Sequence, residues 1–170
     1  MKNDCYIPGH ANRDEKDLAR TAQVSASSQM PGGEARQVIN GVSRSVGENL
    51  NCWISGPLTM PQSILLRLEQ QSPIREVRLT FDTDLSHEIQ PSLIRNVRDR
   101  QVKGLPAELV KSYQVELLRK GEVVASRRIE ENGQRLNILI FNEVLCDAVK
   151  ITVSETYGCD HARIFEIRLY

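Results

Sequence analysis

Apolar and polar residues alternate through most of the chain. In residues 74–82, Val77, Leu79 and Phe81 share one face, and charged or hydroxyl side chains share the other. This period of two is typical of a strand with one face on a core and the other in water. Residues 148–154 show the same pattern, with a valine, an isoleucine and a valine at every second position. Both segments are therefore predicted strands.

Six further segments carry strand signals, so we expect about eight strands. All eight segments are 23–27, 63–70, 74–82, 113–120, 122–129, 135–141, 148–154 and 162–170. Gly121 separates two of them and predicts a hairpin. Both faces of 135–141 are apolar, which predicts a central strand. In 162–170, the alternation places Phe165, Ile167 and Leu169 on one face and Glu166, Arg168 and Tyr170 on the other.

The order of these elements predicts an all-β protein. Strands follow one another without alternating helices, which favours an antiparallel β-sandwich, or jelly roll, over a parallel α/β sheet. Residues 1–18 are polar and predict a lead-in or linker segment, followed by a β-sandwich domain over 19–170. Residues 83–111 contain two prolines and a glycine and predict a long loop with a short helix near 106–111. The role of this loop is open.

Composition argues against several classes of function. The chain has 170 residues, which suits one domain, and its 22 basic residues balance its 22 acidic residues. Only 5% of the residues are aromatic, and the basic residues are scattered, so a nucleic-acid-binding surface is not expected. No apolar run is long enough for a membrane span, and the first residues lack the apolar core of a signal peptide. We expect a soluble chain whose localisation stays open.

The four cysteines do not form a recognisable motif. Cys5, Cys52, Cys146 and Cys159 include no pair at a C-x-x-C spacing, so a zinc or redox site is not indicated. Free thiols in a reducing compartment are the favoured interpretation. Three disulfide pairings are equally compatible with the sequence, so the disulfide state is left open.

Sequence motifs of catalysis are missing. The chain has no G-x-S-x-G, phosphate-binding loop, dinucleotide fingerprint or H-E-x-x-H. His10, His87 and His161 are far apart in sequence, and no two of them stand at a metal-ligand spacing. A single histidine on a loop is usually a solvated polar residue. Asp82 and Asp84 fit either a polar strand end that enters a turn or a pair of oxygen ligands. We therefore expect a protein that binds or docks, without catalysis of its own.

Four short motifs occur in the order found in one family. They are Ala26–Ser28, Ala35–Gly41, Trp53–Ser55 and Ala162–Ile167. Together they resemble the A-S-S, A-x-x-[IV]-[DN]-G, W-x-S and A-x-I-x-E-[IV] elements of discoidin-like domains, also called coagulation-factor type C or galactose-binding-like domains. The resemblance implies a β-sandwich and places Trp53 in its core.

The same resemblance implies a structural calcium ion beneath the early loop. By position, Asn40 stands where the family has an aspartate ligand, and Glu166 stands where it has a glutamate. Hard cations favour several oxygens that include carboxylates, and the neutral Asn40 removes one charge from the set. The alternative is that Asn40 and Gly41 form a turn and that Glu166 bonds to nearby backbone.

Sugar-binding members of the family use loops at one end of the sandwich. The resemblance implies a glycan site formed by the loop that carries Tyr157, Asp160 and His161, with further contacts from Arg44, Asn49 and Asn51 in the early loop. An aromatic ring beside polar groups matches the apolar faces and hydroxyls of a pyranose. The alternative for the tyrosine is that it caps the core.

A narrower resemblance suggests a larger protein. Residues 5–9, 18–28, 81–85 and 156–170 are similar to the C-terminal region of bacterial FAD-dependent oxidoreductases, in which a discoidin-like domain follows the flavin domain. It implies that residues 1–18 are the tail of a linker and that the partner is a catalytic domain of the same polypeptide, and it leaves open whether Met1 is the natural start. The chain lacks a dinucleotide fingerprint and is not expected to bind FAD itself. Two functions remain open: a carbohydrate-binding module, or a structural domain that docks on the enzyme.

Overall fold

Seven strands form most of the regular structure. A computed structural model describes residues 11–85, 94–99, 101 and 103–170, so that Cys5, His10 and His87 lie outside the described residues. The strands are β1 (Gln23–Ala26), β2 (Trp53–Pro57), β3 (Gln62–Phe81), β4 (Val110–Arg119), β5 (Glu122–Ile129), β6 (Leu136–Thr156) and β7 (His161–Leu169). Two short 3-10 helices, Leu18–Thr21 and Ala35–Ile39, and one helix, α1 (Arg95–Asp99), complete the described elements.

All strand pairs are antiparallel, as predicted. The predicted strands 63–70 and 74–82 are two halves of β3, and 135–141 and 148–154 are two halves of β6. The short strand β2 was not among the predicted segments. The β4–β5 hairpin is confirmed, and its turn has positive φ at both Lys120 (54°) and Gly121 (86°). Two positive φ angles in succession match the twist of a two-residue hairpin.

The two long strands connect the layers of the sandwich. The first part of β3, at 62–67, pairs with β1 and with the second part of β6. The last part of β3, at 76–81, pairs with β7 and with the first part of β6. One layer therefore has the order β1–β3–β6–β4–β5, and the other has β2–β7–β3–β6. Since β3 and β6 belong to both, their pairing holds the layers in register.

An irregularity in β3 keeps its apolar side chains on one side. Ile64 and Leu66 are buried at even positions, whereas Val77 and Leu79 are buried at odd positions. The register of β3 against β6 shifts between Ile74 and its second neighbour, Glu76. At this point β3 advances by two residues while β6 advances by four, and the buried positions of β3 change from even to odd across the irregularity. The core is therefore continuous across the bend.

One hydrophobic cluster fills the space between the layers. Trp53 is fully buried, which confirms its predicted place in the core, and its indole Nε1 donates to the Ser28 carbonyl at 2.9 Å. Phe81 and Tyr113 come from different layers, and their ring centroids lie 5.0 Å apart at a tilt of 59°. Tilted contacts of this kind are favourable between aromatic rings.

The prediction of a central strand at 135–141 is wrong. Among the residues that the structure describes, this part of β6 pairs with β3 alone, so it forms the edge of its layer there. Leu139 and Phe141 are buried, but Leu136, Ile138 and Ile140 are 48%, 51% and 59% exposed. Two apolar faces usually indicate burial on both sides, but here the second face looks out of the domain.

Phe165 also lies on a different face from the predicted one. Ile167 and Leu169 point into the core, where Ile164 joins them, but Phe165 is buried outside the core cluster. The register of β7 against β3 is irregular here, since Phe81 pairs with Ile164 and the preceding Thr80 pairs with Glu166. A bulge in β7 therefore interrupts the alternation that the sequence suggests.

Outside the strands, the short helix lies at a different place from the predicted one, and part of the expected lead-in packs on the sandwich. The helix predicted near 106–111 is absent there, since a turn leads directly into β4, and α1 lies instead at Arg95–Asp99. Part of the expected lead-in contacts the sandwich: Asp17 is buried and accepts the Leu169 amide at 3.0 Å, and the Asn12 amide donates to the Gly41 carbonyl at 2.6 Å. The domain boundary at 18/19 stays a prediction.

We predict that Ile164→Ala lowers the free energy of unfolding by about 2–5 kcal/mol, because Ile164 is fully buried and its truncation leaves a cavity. The matched variant Ile140→Ala should cost less than about 1 kcal/mol, since its side chain is 59% exposed. Urea denaturation of both variants measures the difference. Equal losses would contradict the placement of the outer face of β6.

Candidate functional site

A groove lies where the β2–β3 turn meets the β6–β7 loop. It has a volume of about 430 Å³, and its lining residues are Pro57, Leu58, Thr59, Ser154, Glu155, Thr156, Cys159 and Asp160. The Leu58 amide donates to the Asp160 carbonyl at 2.8 Å, which joins the two walls. Pro57 pairs with His161 in the β2–β7 ladder. Both walls are therefore anchored in strands.

Backbone contacts hold the β6–β7 loop in place. The Tyr157 amide donates to the Leu109 carbonyl at 3.1 Å, and the Cys159 amide donates to the Ala107 carbonyl at 2.9 Å. The Thr156 hydroxyl also donates to the Cys159 carbonyl. A loop fixed in this way presents its side chains in a preformed arrangement, which lowers the entropic cost of binding.

Two carboxylates lie on the groove. Asp160 is exposed, and Glu155 is exposed but forms an ion pair with Lys111 at 3.2 Å. Lys111 also contacts Glu131 at 3.3 Å, and hydrogen bonds to these two glutamates raise its pKa. Glu155 is therefore partly neutralised, whereas the Asp160 carboxylate points into solvent. Beside them, Leu58 and Pro57 provide an apolar surface.

His161 and Tyr157 lie at the border of this groove. Nδ1 of His161 lies 2.8 Å from the Ser55 carbonyl oxygen. Since a carbonyl only accepts, Nδ1 carries the proton, and Nε2 of the neutral ring is the acceptor. Tyr157 is half-buried and packs against the hydrophobic core. Its ring therefore has a core contact, as the alternative interpretation expected, together with an exposed part.

The early-loop residues form a second cluster. The Asn51 side chain donates to the carbonyls of Arg44 (3.1 Å) and Asn49 (3.4 Å), and it accepts from the Asn40 amide group at 3.0 Å. Asn51 has a φ of 53°, a left-handed conformation that asparagine tolerates well. Its side chain thus holds the loop, while Asn49 is exposed.

The two clusters lie near opposite ends of β2. Asn51 comes just before the strand, and the turn at Leu58 comes just after it. At about 3.3 Å per residue, seven residues span roughly 20 Å. The structure thus brings Asp160, His161 and Tyr157 together, and separately Arg44, Asn49 and Asn51. Sequence reasoning missed Leu58 and Thr59, because a short turn between strands carries no specific signal.

Partly buried ion pairs lie on the outer side of β7. Arg163 contacts Asp82 at 3.2 Å, and Arg168 contacts Glu166 at 2.9 Å. Asp82 also accepts the Asp84 amide at 2.9 Å, which fits a polar strand end that enters a turn. Charged side chains at this depth are generally stable only when they are paired.

Protein groups contact one oxygen of each of the two predicted calcium ligands. The Asn40 side-chain oxygen accepts the Val42 amide at 2.7 Å, and Oε2 of Glu166 accepts from Arg168. Within the described residues, no group of three or more His, Cys, Asp or Glu side chains is placed to hold a metal ion. These residues therefore do not present a set of free oxygens of the kind that calcium favours.

Comparisons with known proteins identify the fold. No family model matches the chain, and no curated protein sequence matches it significantly. Among solved structures, a Streptococcus pneumoniae fucose-binding module is similar, with a TM-score of 0.69 and 13% identity over 94% of this chain and 97% of that chain. The similarity shows that this chain has an antiparallel β-sandwich fold of the kind found in that structure.

Two further structures support this result. The lectin domain of lectinolysin, in complex with Lewis B antigen, has a TM-score of 0.66 and 16% identity over 92% of this chain and 97% of its own. The family 32 carbohydrate-binding module of C. perfringens NanJ, in complex with galactose, has a TM-score of 0.61 and 18% identity over 90% and 96% of the two chains. At these identities the similarity shows the fold. No helix in the described part of the chain is long and apolar enough to cross a membrane.

We predict that iodoacetamide labels Cys159 before Cys52 and Cys146 in the folded protein at neutral pH. Burial raises the pKa of Cys52 to about 12 and that of Cys146 to about 11, whereas Cys159 is half-exposed. The thiolate is the reactive form, so a raised pKa and burial both slow alkylation. Peptide mass spectrometry of a labelling time course measures the order. Early labelling of Cys52 would contradict its burial.

Proposed function

We propose that the chain is a non-catalytic carbohydrate-binding module. The observation that carries this proposal is the groove between the β2–β3 turn and the β6–β7 loop, on a fold shared with lectin and fucose-binding domains. The groove is polar on one side and apolar on the other, which matches a sugar ring with hydroxyls at its edge and C–H groups on its faces. The sequence also lacks the catalytic motifs of common enzymes.

Each proposed ligand-binding residue has a distinct role. The exposed Asp160 carboxylate accepts hydrogen bonds from sugar hydroxyls, and Nε2 of His161 accepts another. The exposed part of Tyr157 and the side chain of Leu58 contact the apolar face of the sugar. Hydrogen bonds to a charged acceptor contribute about 1.5–3 kcal/mol, so Asp160 is the main determinant of affinity.

The early loop contributes a second contact region in this proposal. Asn49 is exposed and offers both a donor and an acceptor, and Arg44 offers donors. Asn51 acts indirectly, since its side-chain amide donates to the backbone carbonyls of Arg44 and Asn49 and so holds the loop. Because this region lies roughly 20 Å from the groove, it reaches a further residue of an oligosaccharide rather than the same sugar ring.

The second candidate function is a docking domain without a sugar ligand. It is favoured by the exposed apolar row of Leu136, Ile138 and Ile140 on the edge of one layer. Apolar rows on sheet edges are usually covered or interrupted by charge, so an uncovered one suits contact with another polypeptide. Both candidates are compatible with our further proposal that the module is attached to a larger protein, for which an FAD-dependent oxidoreductase is the candidate that the sequence resembles.

We predict that a glycan array detects binding and that Asp160→Ala lowers the affinity for the bound glycan by roughly 10- to 100-fold, because a charged acceptor is lost. His161→Ala and Tyr157→Ala should also weaken binding. Isothermal titration calorimetry with the best array ligand measures the affinity.

Asp99→Ala is the matched control, since this aspartate lies on α1 and pairs with Arg95 and Lys103. It should leave the affinity unchanged. If the folded wild-type protein binds no glycan on the array, the docking function is favoured. Equal affinities of the Asp160 and Asp99 variants would contradict the groove as the glycan site.

A further inference from the structure

Arg135 contacts three separate parts of the domain. It directly precedes β6, and its Nη2 donates to the carbonyl of Ser43 in the early loop. Its guanidinium carbon lies 5.6 Å from the centre of the Phe165 ring on β7. A flat cation over an aromatic face is attracted by the ring. This one side chain therefore joins the start of β6, the early loop and the outer side of β7.

Two carboxylates influence the charge of this guanidinium. Burial lowers the pKa of Arg135, and the negative charges of Asp82 and Glu166 oppose this shift. Arginine remains charged even when its pKa is lowered, because its ordinary pKa is above 12. The outer side of β7 therefore contains a permanent, half-buried positive charge that contacts the Ser43 carbonyl and the Phe165 ring.

Each of these carboxylates already has a second guanidinium. Arg163 contacts Asp82 at 3.2 Å, and Arg168 contacts Glu166 at 2.9 Å. A divalent cation beside either carboxylate would face the arginine that pairs with it at short range, and repulsion between partly buried like charges is strong. The charge around Glu166 thus disfavours a metal ion.

Two buried atoms of opposite character remain on these side chains. Nε of Arg135 and Oε1 of Glu166 have no hydrogen-bond partner within the described residues, and Glu166 is only 4% exposed. Arg135 contacts the ring of Phe165, the residue before Glu166 in β7. Buried polar atoms of this kind are usually satisfied by an ordered water molecule.

We propose that the guanidinium of Arg135 serves as the built-in cation of this domain and holds the early loop, residues 40–51, against β7 without calcium. A hard cation in this position would bind a loop carbonyl and the late carboxylate. Arg135 contacts the Ser43 carbonyl and the ring of Phe165, the residue before Glu166, so it joins the early loop to β7 with a charge that the chain itself supplies. Of the expected calcium ligands, Asn40 is neutral and its side-chain oxygen accepts the Val42 amide, and Glu166 offers a single unpartnered oxygen on a carboxylate that already pairs with Arg168.

The first experiment compares the melting temperature of the wild-type protein in calcium chloride and in EDTA. We expect no difference, because the cation is covalently part of the chain. A bound metal would raise the melting temperature as its concentration increases. A calcium-dependent rise in the wild-type protein would overturn the proposal.

The second experiment uses Arg135→Met, which keeps the length of the side chain and removes its charge. Loss of one member of a buried charge group should lower the melting temperature by roughly 6–12 °C. Hydrogen exchange should become at least about tenfold faster in the early loop, at the amides of Val46 and Asn49, and remain slow in β4 and β5. Unchanged exchange in the early loop would overturn the proposal.

Two further variants complete the design. Arg128→Met removes an arginine that is 67% exposed and pairs with Glu130, and it should change neither the melting temperature nor the exchange of the early loop. Arg135→Lys keeps the charge but not the planar contact with Phe165, and we expect an intermediate melting temperature. Should Arg135→Met fail to fold, the lysine variant provides the test. The role of arginine would be contradicted if the early loop of the lysine variant exchanged at the wild-type rate and calcium raised the melting temperature of this variant. None of these results depends on glycan binding.

Discussion

The antiparallel pairing of β3 with β6 is the interaction on which the rest of the structure depends. Both strands are about twenty residues long and contribute to both layers, so their ladder holds the two sheets in register. The bulge near Ile74 lets β3 keep its apolar side chains inward on both sides of the bend. Because a shift of one residue exchanges the faces of a strand, this irregularity is necessary for a single continuous core.

The ends and edges that this pairing leaves free carry the polar chemistry of the domain. The groove forms where the turn after β2 meets the loop before β7, and backbone hydrogen bonds fix both walls. On the outer side of β7, arginines pair with Asp82 and Glu166. A rigid sandwich with functional loops at its ends is a common arrangement for binding domains. The proposed glycan site and the proposed arginine cation are therefore independent features of one scaffold.

Much of the fold was predictable because alternation reports local burial directly. Val77, Leu79 and Phe81 point into the core, as their period of two indicates, and Trp53 lies in the core. The same rule failed where local pattern and tertiary position differ. At 135–141 two apolar faces suggested a central strand, but nothing in the local sequence shows that β4 pairs only with the later part of β6. At Phe165, a bulge that depends on pairing with β3 reversed the expected face.

By itself, the sequence determined the class of fold, the main strands, the β4–β5 hairpin and the lack of common catalytic motifs, because these follow from residue type and spacing along the chain. The tertiary structure decided which polar residues meet. It separated Asn49 and Asn51 from Asp160 and His161 by the length of β2, although the sequence offered all four as one site. It also brought Arg135 to Ser43, which is 92 positions away along the chain. Contacts of this range depend on the path of the whole backbone, and a single sequence contains no local signal for them.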